Sequence, residues 1–133
     1  MTIAHIGTSN AYLRLSSNDS DAGPPKGLVA ELRLDTLAAT RTVGNHYASG
    51  FVDLAEFFMA MEEAWRGWDG ARRWRSFEDE LSIEAQHDGH IRLIIVLRNV
   101  YPWTWTATAH LRLDPGEQLS SAAAAIQTLA SGS

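Results

Sequence analysis

Two histidines flank a tight turn in the stretch "HDGH" (87–90): His87 and His90, with Asp88 between them. Imidazole and carboxylate are zinc ligands, and a turn could present all three to one ion. A hairpin tip is exposed, however, and His5, His46 and His110 are remote in the chain. Exposed turn residues are the expectation, and no metal site is assigned. The carboxylates Glu62, Glu63, Asp69, Glu78, Asp79, Glu80 and Glu84 could supply a glycosidase-like acid pair. No spacing selects two of them, so solvated charge is the default. Ser49, Ser76 and Ser82 lack a G-x-S-x-G elbow, and the chain has neither a P-loop nor a G-x-G-x-x-G. No catalytic residue and no cofactor follows from these patterns, and a non-enzymatic role is favoured.

A denser cluster lies in "WRGWDGARRW" (65–74), where Trp65, Trp68 and Trp74 alternate with Arg66, Arg72 and Arg73. Trp65 is in phase with an upstream apolar stripe and is expected in the core. Trp68 and Trp74, with Arg72, Arg73 and Arg75, have the composition of an interface hot spot. Acidic segments at Glu62–Glu63 and Glu78–Asp79–Glu80 flank that surface in sequence. A different arrangement, a pocket between sheet and helix, would draw on Trp65, Trp103 and Trp105.

The elements that must position these residues are read from periodicity. "AYLRLSS" (11–17) and "LVAELRLD" (28–35) alternate as half-buried strands, and "AATRTVGNHY" (38–47) is their partner. The period then changes: Leu54, Phe57, Phe58, Met61, Trp65 and Trp68 form one stripe of an amphipathic helix, ended by Gly67 and Gly70. "LSIEAQH" (81–87), a "DG" two-residue turn and "HIRLIIVLRN" (90–99) read as a hairpin. Ile94 and Val96 make the second of these strands apolar on both sides, hence central. "WTWTATAHLRLD" (103–114) puts Thr104, Thr106 and Thr108 on one face. A last helix is expected with Asp114 as N-cap, Pro115 at its first position and Glu117 in a capping box. Its stripe is Leu119, Ala122, Ala123, Ile126 and Leu129 or Ala130.

These elements give an α+β fold: an antiparallel sheet or two-layer β structure, one helix between two β blocks and a C-terminal helix. At 133 residues, one domain spanning 1–133 is expected, able to fold without a disulfide or metal. Cysteine is absent, and the formal net charge is -5. Acidity argues against general nucleic-acid binding, which needs a basic surface. No long apolar run or basic leader is present, so no membrane span or signal peptide is expected and the cytoplasm is the expected location.

Residues 46–74 and the segments "LSIEAQHDGHIRLIIVLR" and "WTATAHLRLDPGEQL" resemble an uncharacterised family of small actinobacterial proteins. Trp65, Gly67, Trp68 and Gly70, then Asp114 to Leu119, carry the resemblance. The order of elements is also similar in pattern to WapI-type immunity proteins, which neutralise a toxin by binding it. That resemblance implies a protein partner and carries no functional residue over. Three readings follow: a non-enzymatic protein-binding domain, a small-molecule binder or accessory enzyme with a tryptophan-lined pocket, and a structural homo-oligomer subunit using the threonine face.

Overall fold

The computed structural model describes residues 2–17 and 23–132. In chain order the elements are β1 (Ile3–Gly7), β2 (Ala11–Ser17), β3 (Gly27–Leu34), β4 (Leu37–Gly44), α1 (Val52–Glu63), β5 (Arg72–Arg75), β6 (Leu81–His87), β7 (Ile91–Asn99), β8 (Trp105–Leu113) and α2 (Glu117–Ser131). The α+β expectation holds: two four-stranded antiparallel sheets, each strand paired with its sequence neighbour, with α1 joining them and α2 at the C-terminal end.

Period-two alternation decides which face of each sheet is buried. Leu13 and Leu15 on β2 and Leu28, Ala30 and Leu32 on β3 line the inner face of the first sheet. Leu81, Ile83, Ile91, Leu93, Ile95, Leu97, Leu111 and Leu113 do the same in the second. These side chains and the buried stripes of both helices form one hydrophobic cluster. The stripe of α2 is Leu119, Ala122, Ala123, Ile126, Leu129 and Ala130. Its small residues bring α2 close to α1 and to β1.

Two strands escaped the periodicity reading. β1 is five residues long, and its two buried side chains, Ala4 and Ile6, give a faint signal. It turns into β2 through Gly7 at φ 121°. A side chain on Gly7 would run into the Ala11 carbonyl. β5 buries a single apolar residue, Trp74, among arginines. Short, charged edge strands of this kind resist pairing with foreign chains.

Three boundaries also move. α1 stops at Glu63, and the chain leaves it through a turn with Gly67 at φ 140° and Gly70 at φ 74°. Trp65 and Trp68 therefore lie beyond the helix whose stripe they appeared to continue. The β6–β7 connection uses Asp88, Gly89 and His90, with the Asp88 N–H donating to the His90 carbonyl at 3.0 Å. Three residues, rather than two, separate these strands. At α2 the N-cap is Gly116 with no side-chain cap. Gln118, not Glu117, reaches back, its Oε1 accepting from the Asp114 N–H at 2.9 Å. Asp114 instead faces His90 at 3.7 Å.

Candidate functional site

The tryptophan–arginine stretch is split by the fold. Trp65 is 49% exposed, contrary to its expected core position, because α1 ends before it. The Arg66 guanidinium lies over its ring at 5.1 Å. Trp68 is half-buried against the core and receives Arg72 over its face at 4.7 Å. Arg72 also donates to the Ala60 carbonyl at the end of α1. Trp74, expected on the surface, is only 8% exposed, because alternation along β5 turns it inward. Alternation turns its neighbours Arg73 and Arg75 outward.

His87 fastens the stretch to the second sheet. Its Nε2 lies 2.8 Å from the Trp65 carbonyl, its Nδ1 accepts from the Gly89 N–H at 3.2 Å, and its ring meets Trp68 edge-on at 5.2 Å. A carbonyl only accepts, so the Nε2–H tautomer serves both bonds. His87→Ala is expected to cost about 1–2 kcal/mol and to red-shift tryptophan emission. Urea unfolding followed by fluorescence measures both. His87 and His90 thus serve separate partners. Among the described residues no group of three His, Asp or Glu side chains is placed to hold a metal ion.

The acidic candidates separate as well. Glu62 is half-buried at the end of α1. Glu63 and Glu78 are exposed, and Asp79 pairs with Arg98 at 3.3 Å. Glu80 is 5% exposed and cannot contact a partner. Its Oε1 accepts from Ser76 Oγ at 2.8 Å and its Oε2 from the Gly44 N–H at 3.0 Å. It clamps β4 of one sheet to the β5–β6 turn of the other. The three pocket tryptophans are not brought together. Trp65 sits by His87 at one end of β6 and β7. Trp103 and Trp105 lie at the opposite, β7–β8 turn end, with Trp105 paired to Asn99.

What the fold does assemble is the outer face of the β5–β8 sheet. Register places Arg73, Glu84, Ile94 and His110 in one cross-strand row. Arg75, Ser82, Val96 and Thr108 form the next. Arg98 with Thr106 continues the face on one side, and Gln86, Arg92 and Arg112 on the other. Thr106, Thr108, His110, Arg75 and Arg112 are exposed, while Ile94 and Val96 are half-buried. The surface is hollowed by a depression of about 520 Å³ lined by Arg73, Arg75, Ser82, Glu84, Ile94 and Val96. A second of about 390 Å³ lies between Gln86, Arg92, Ile94, His110 and Arg112.

Residues 4–133 match the family of unknown function DUF6228. The chain belongs to that family. No curated protein and no solved structure matches it. In this DUF6228 member, five of the ten arginines lie on the one sheet face. Three are matched by acids: Arg73 by Glu84 at 2.7 Å, Arg92 by Asp88 at 3.4 Å and Arg98 by Asp79. Arg75 and Arg112 have no acidic partner among the described residues. Arg92 and Arg112 stand directly opposite each other on β7 and β8, a like-charge pairing that costs stability. The arginines other than Arg73 and Arg75 were not among the expected site residues. They are scattered over sequence, and only strand register unites them. No helix of the described residues is long and apolar enough to cross a membrane.

Proposed function

We propose that this chain is a non-enzymatic, cytoplasmic protein-binding domain that docks its partner on the outer face of the β5–β8 sheet. The supporting observation is the pairing, on one open face, of an aliphatic centre at Ile94 and Val96 with the unmatched arginines Arg75 and Arg112. Protein interfaces share this anatomy: an apolar centre that excludes water, a polar rim, and arginine enriched among the anchoring residues. Threonines at 106 and 108 extend the rim without long flexible side chains to immobilise. The specific form we favour is toxin neutralisation, in keeping with the layout similarity to WapI-type immunity proteins.

The test is a tagged capture from the source organism's lysate, read by mass spectrometry. It compares the wild-type chain, Arg75→Glu/Arg112→Glu, and Arg33→Glu on the exposed side of the first sheet. A near-stoichiometric protein retained by wild type and Arg33→Glu but lost with the double reversal is the expected result. Circular dichroism of the variants should be unchanged, since neither residue of the pair is buried. A dimeric mass in solution that the double reversal dissociates would instead assign the face to a second copy. Retention of the captured protein by every variant would overturn the placement.

A further inference from the structure

Granted that the outer face of the β5–β8 sheet binds a protein, we infer that it takes an acidic amphipathic helix of that partner. The backbone within this face is already committed: β6 and β7 are paired on both sides, and unpaired backbone lies only along the outer edges of β5 and β8. A partner lying across the face is therefore read by side chains and not by strand addition. The aliphatic centre is small. Ile94 and Val96 are two residues apart on one strand, hence about 6.6 Å. On a helix crossing the face diagonally these two residues project about 4.5 Å apart, and helix side chains at i and i+3 or i+4 recur at about 4.5–6 Å, so two successive apolar residues of such a helix match that centre.

The unmatched charges set the length. Arg75 on β5 and Arg112 on β8 occupy opposite corners of the face. Three inter-strand steps and a four-residue stagger separate them by about 20 Å. A helix of about 13 residues covers that span, with its acidic flanks reaching both corners. Acids there would also relieve the Arg92–Arg112 juxtaposition, which the chain leaves uncompensated on the β8 side. Charge decides between partners of one shape. A basic helix would meet the two unmatched arginines, Arg75 and Arg112, at its ends. A single-stranded nucleic acid would find no aromatic platform, because Tyr101, Trp103 and Trp105 sit beyond it at the β7–β8 turn.

Amide-resolved NMR titration of the full chain tests this with three probes. They are a synthetic helical peptide with leucines at i, i+4 spacing and glutamate flanks, the same peptide with lysine flanks, and a single-stranded oligonucleotide. The acidic peptide should shift amides of Arg75, Ser82, Ile94, Val96, Thr108 and Arg112, and weaken as salt is raised. Arg75→Glu/Arg112→Glu should weaken it by on the order of a hundredfold, and the lysine peptide should leave the face unshifted. Shifts confined to other surfaces, equal affinity for the oligonucleotide, or an unaffected double variant would each overturn the inference. A lysate partner lost with the double reversal while the acidic peptide leaves the face untouched would sink the helix inference alone. The protein-binding reading would stand.

Discussion

Phe58→Ala is expected to be the most destabilising single truncation in α1, costing about 4 kcal/mol. Phe58 is fully buried, on the helix face shared with Leu54, Ala55 and Met61. That face packs against α2 and reaches β5. Truncation removes most of an aromatic side chain from water-free packing and leaves a cavity that the two sheets and α2 cannot close by local movement. For a chain of this size the loss corresponds to a fall in Tm of roughly 12–20 °C. Phe57 provides the internal control. It is one residue along, only half-buried, and touches Phe58 edge-on at 5.7 Å. Phe57→Ala should cost about 1–2 kcal/mol. Urea denaturation of both variants, analysed with a common m-value, separates the two. Equal losses would mean that α1 is not held by the stripe described above.

The same helix shows why sequence periodicity located some residues and misplaced others. The stripe Leu54, Phe57, Phe58, Met61 is a property of the folded helix. Trp65 and Trp68 extend its spacing without extending the helix, because Gly67 and Gly70 take positive φ values and the chain turns after Glu63. Spacing alone does not register where hydrogen bonding stops. β3, β6, β7 and β8 were legible because each buries at least three side chains on one face, and β2 because its two buried leucines, Leu13 and Leu15, alternate with Tyr12, Arg14 and Ser16. β1 and β5 were not, because they are edge strands of five and four residues, one burying only Ala4 and Ile6 and the other only Trp74, and so short a run carries little pattern. Trp74 is the instructive case: a tryptophan among arginines looks like a surface anchor, yet in a four-residue strand alternation alone turns it inward.

The candidate face was legible only in part. Arg73 and Arg75 stood out as neighbours in sequence, and the threonines at 104, 106 and 108 as an array. The double apolarity of β7 correctly implied an inner strand, and β7 does lie between β6 and β8. Its outer residues Ile94 and Val96, however, are capped by no helix and remain half-buried. Arg92, Arg98 and Arg112 join Arg73 and Arg75 through hairpin register, a long-range relation that no local window contains. Net charge was similarly uninformative. A total of -5 conceals a face on which arginine dominates, because among the described residues Glu84 alone of the acids stands in its cross-strand rows.

Glu80→Ala is expected to cost about 3 kcal/mol, nearly as much as the aromatic truncation, although it removes no large apolar surface. The reason is the donors left behind. The Gly44 N–H and Ser76 Oγ both give their hydrogen bonds to this buried carboxylate. Ser76 Oγ in turn accepts from the Leu81 N–H at 3.1 Å, so its own donor has no spare orientation. Each orphaned buried group costs about 1–3 kcal/mol. Glu80→Gln keeps one carbonyl acceptor and turns an amide N–H₂ toward the other donor, so it should lose about half as much. The exposed neighbour Glu78→Ala should stay within about 0.5 kcal/mol. The clamp joins β4 to the β5–β6 turn, and the Glu80 carbonyl also accepts from the Arg98 N–H at 2.7 Å. Hydrogen exchange should therefore show Gly44 and Leu81 amides losing protection together in Glu80→Ala, with β2 and β3 little changed. If Glu80→Gln proves as damaging as Glu80→Ala, the loss reflects the missing charge and not the missing acceptors, and the clamp would have to be reassigned as electrostatic.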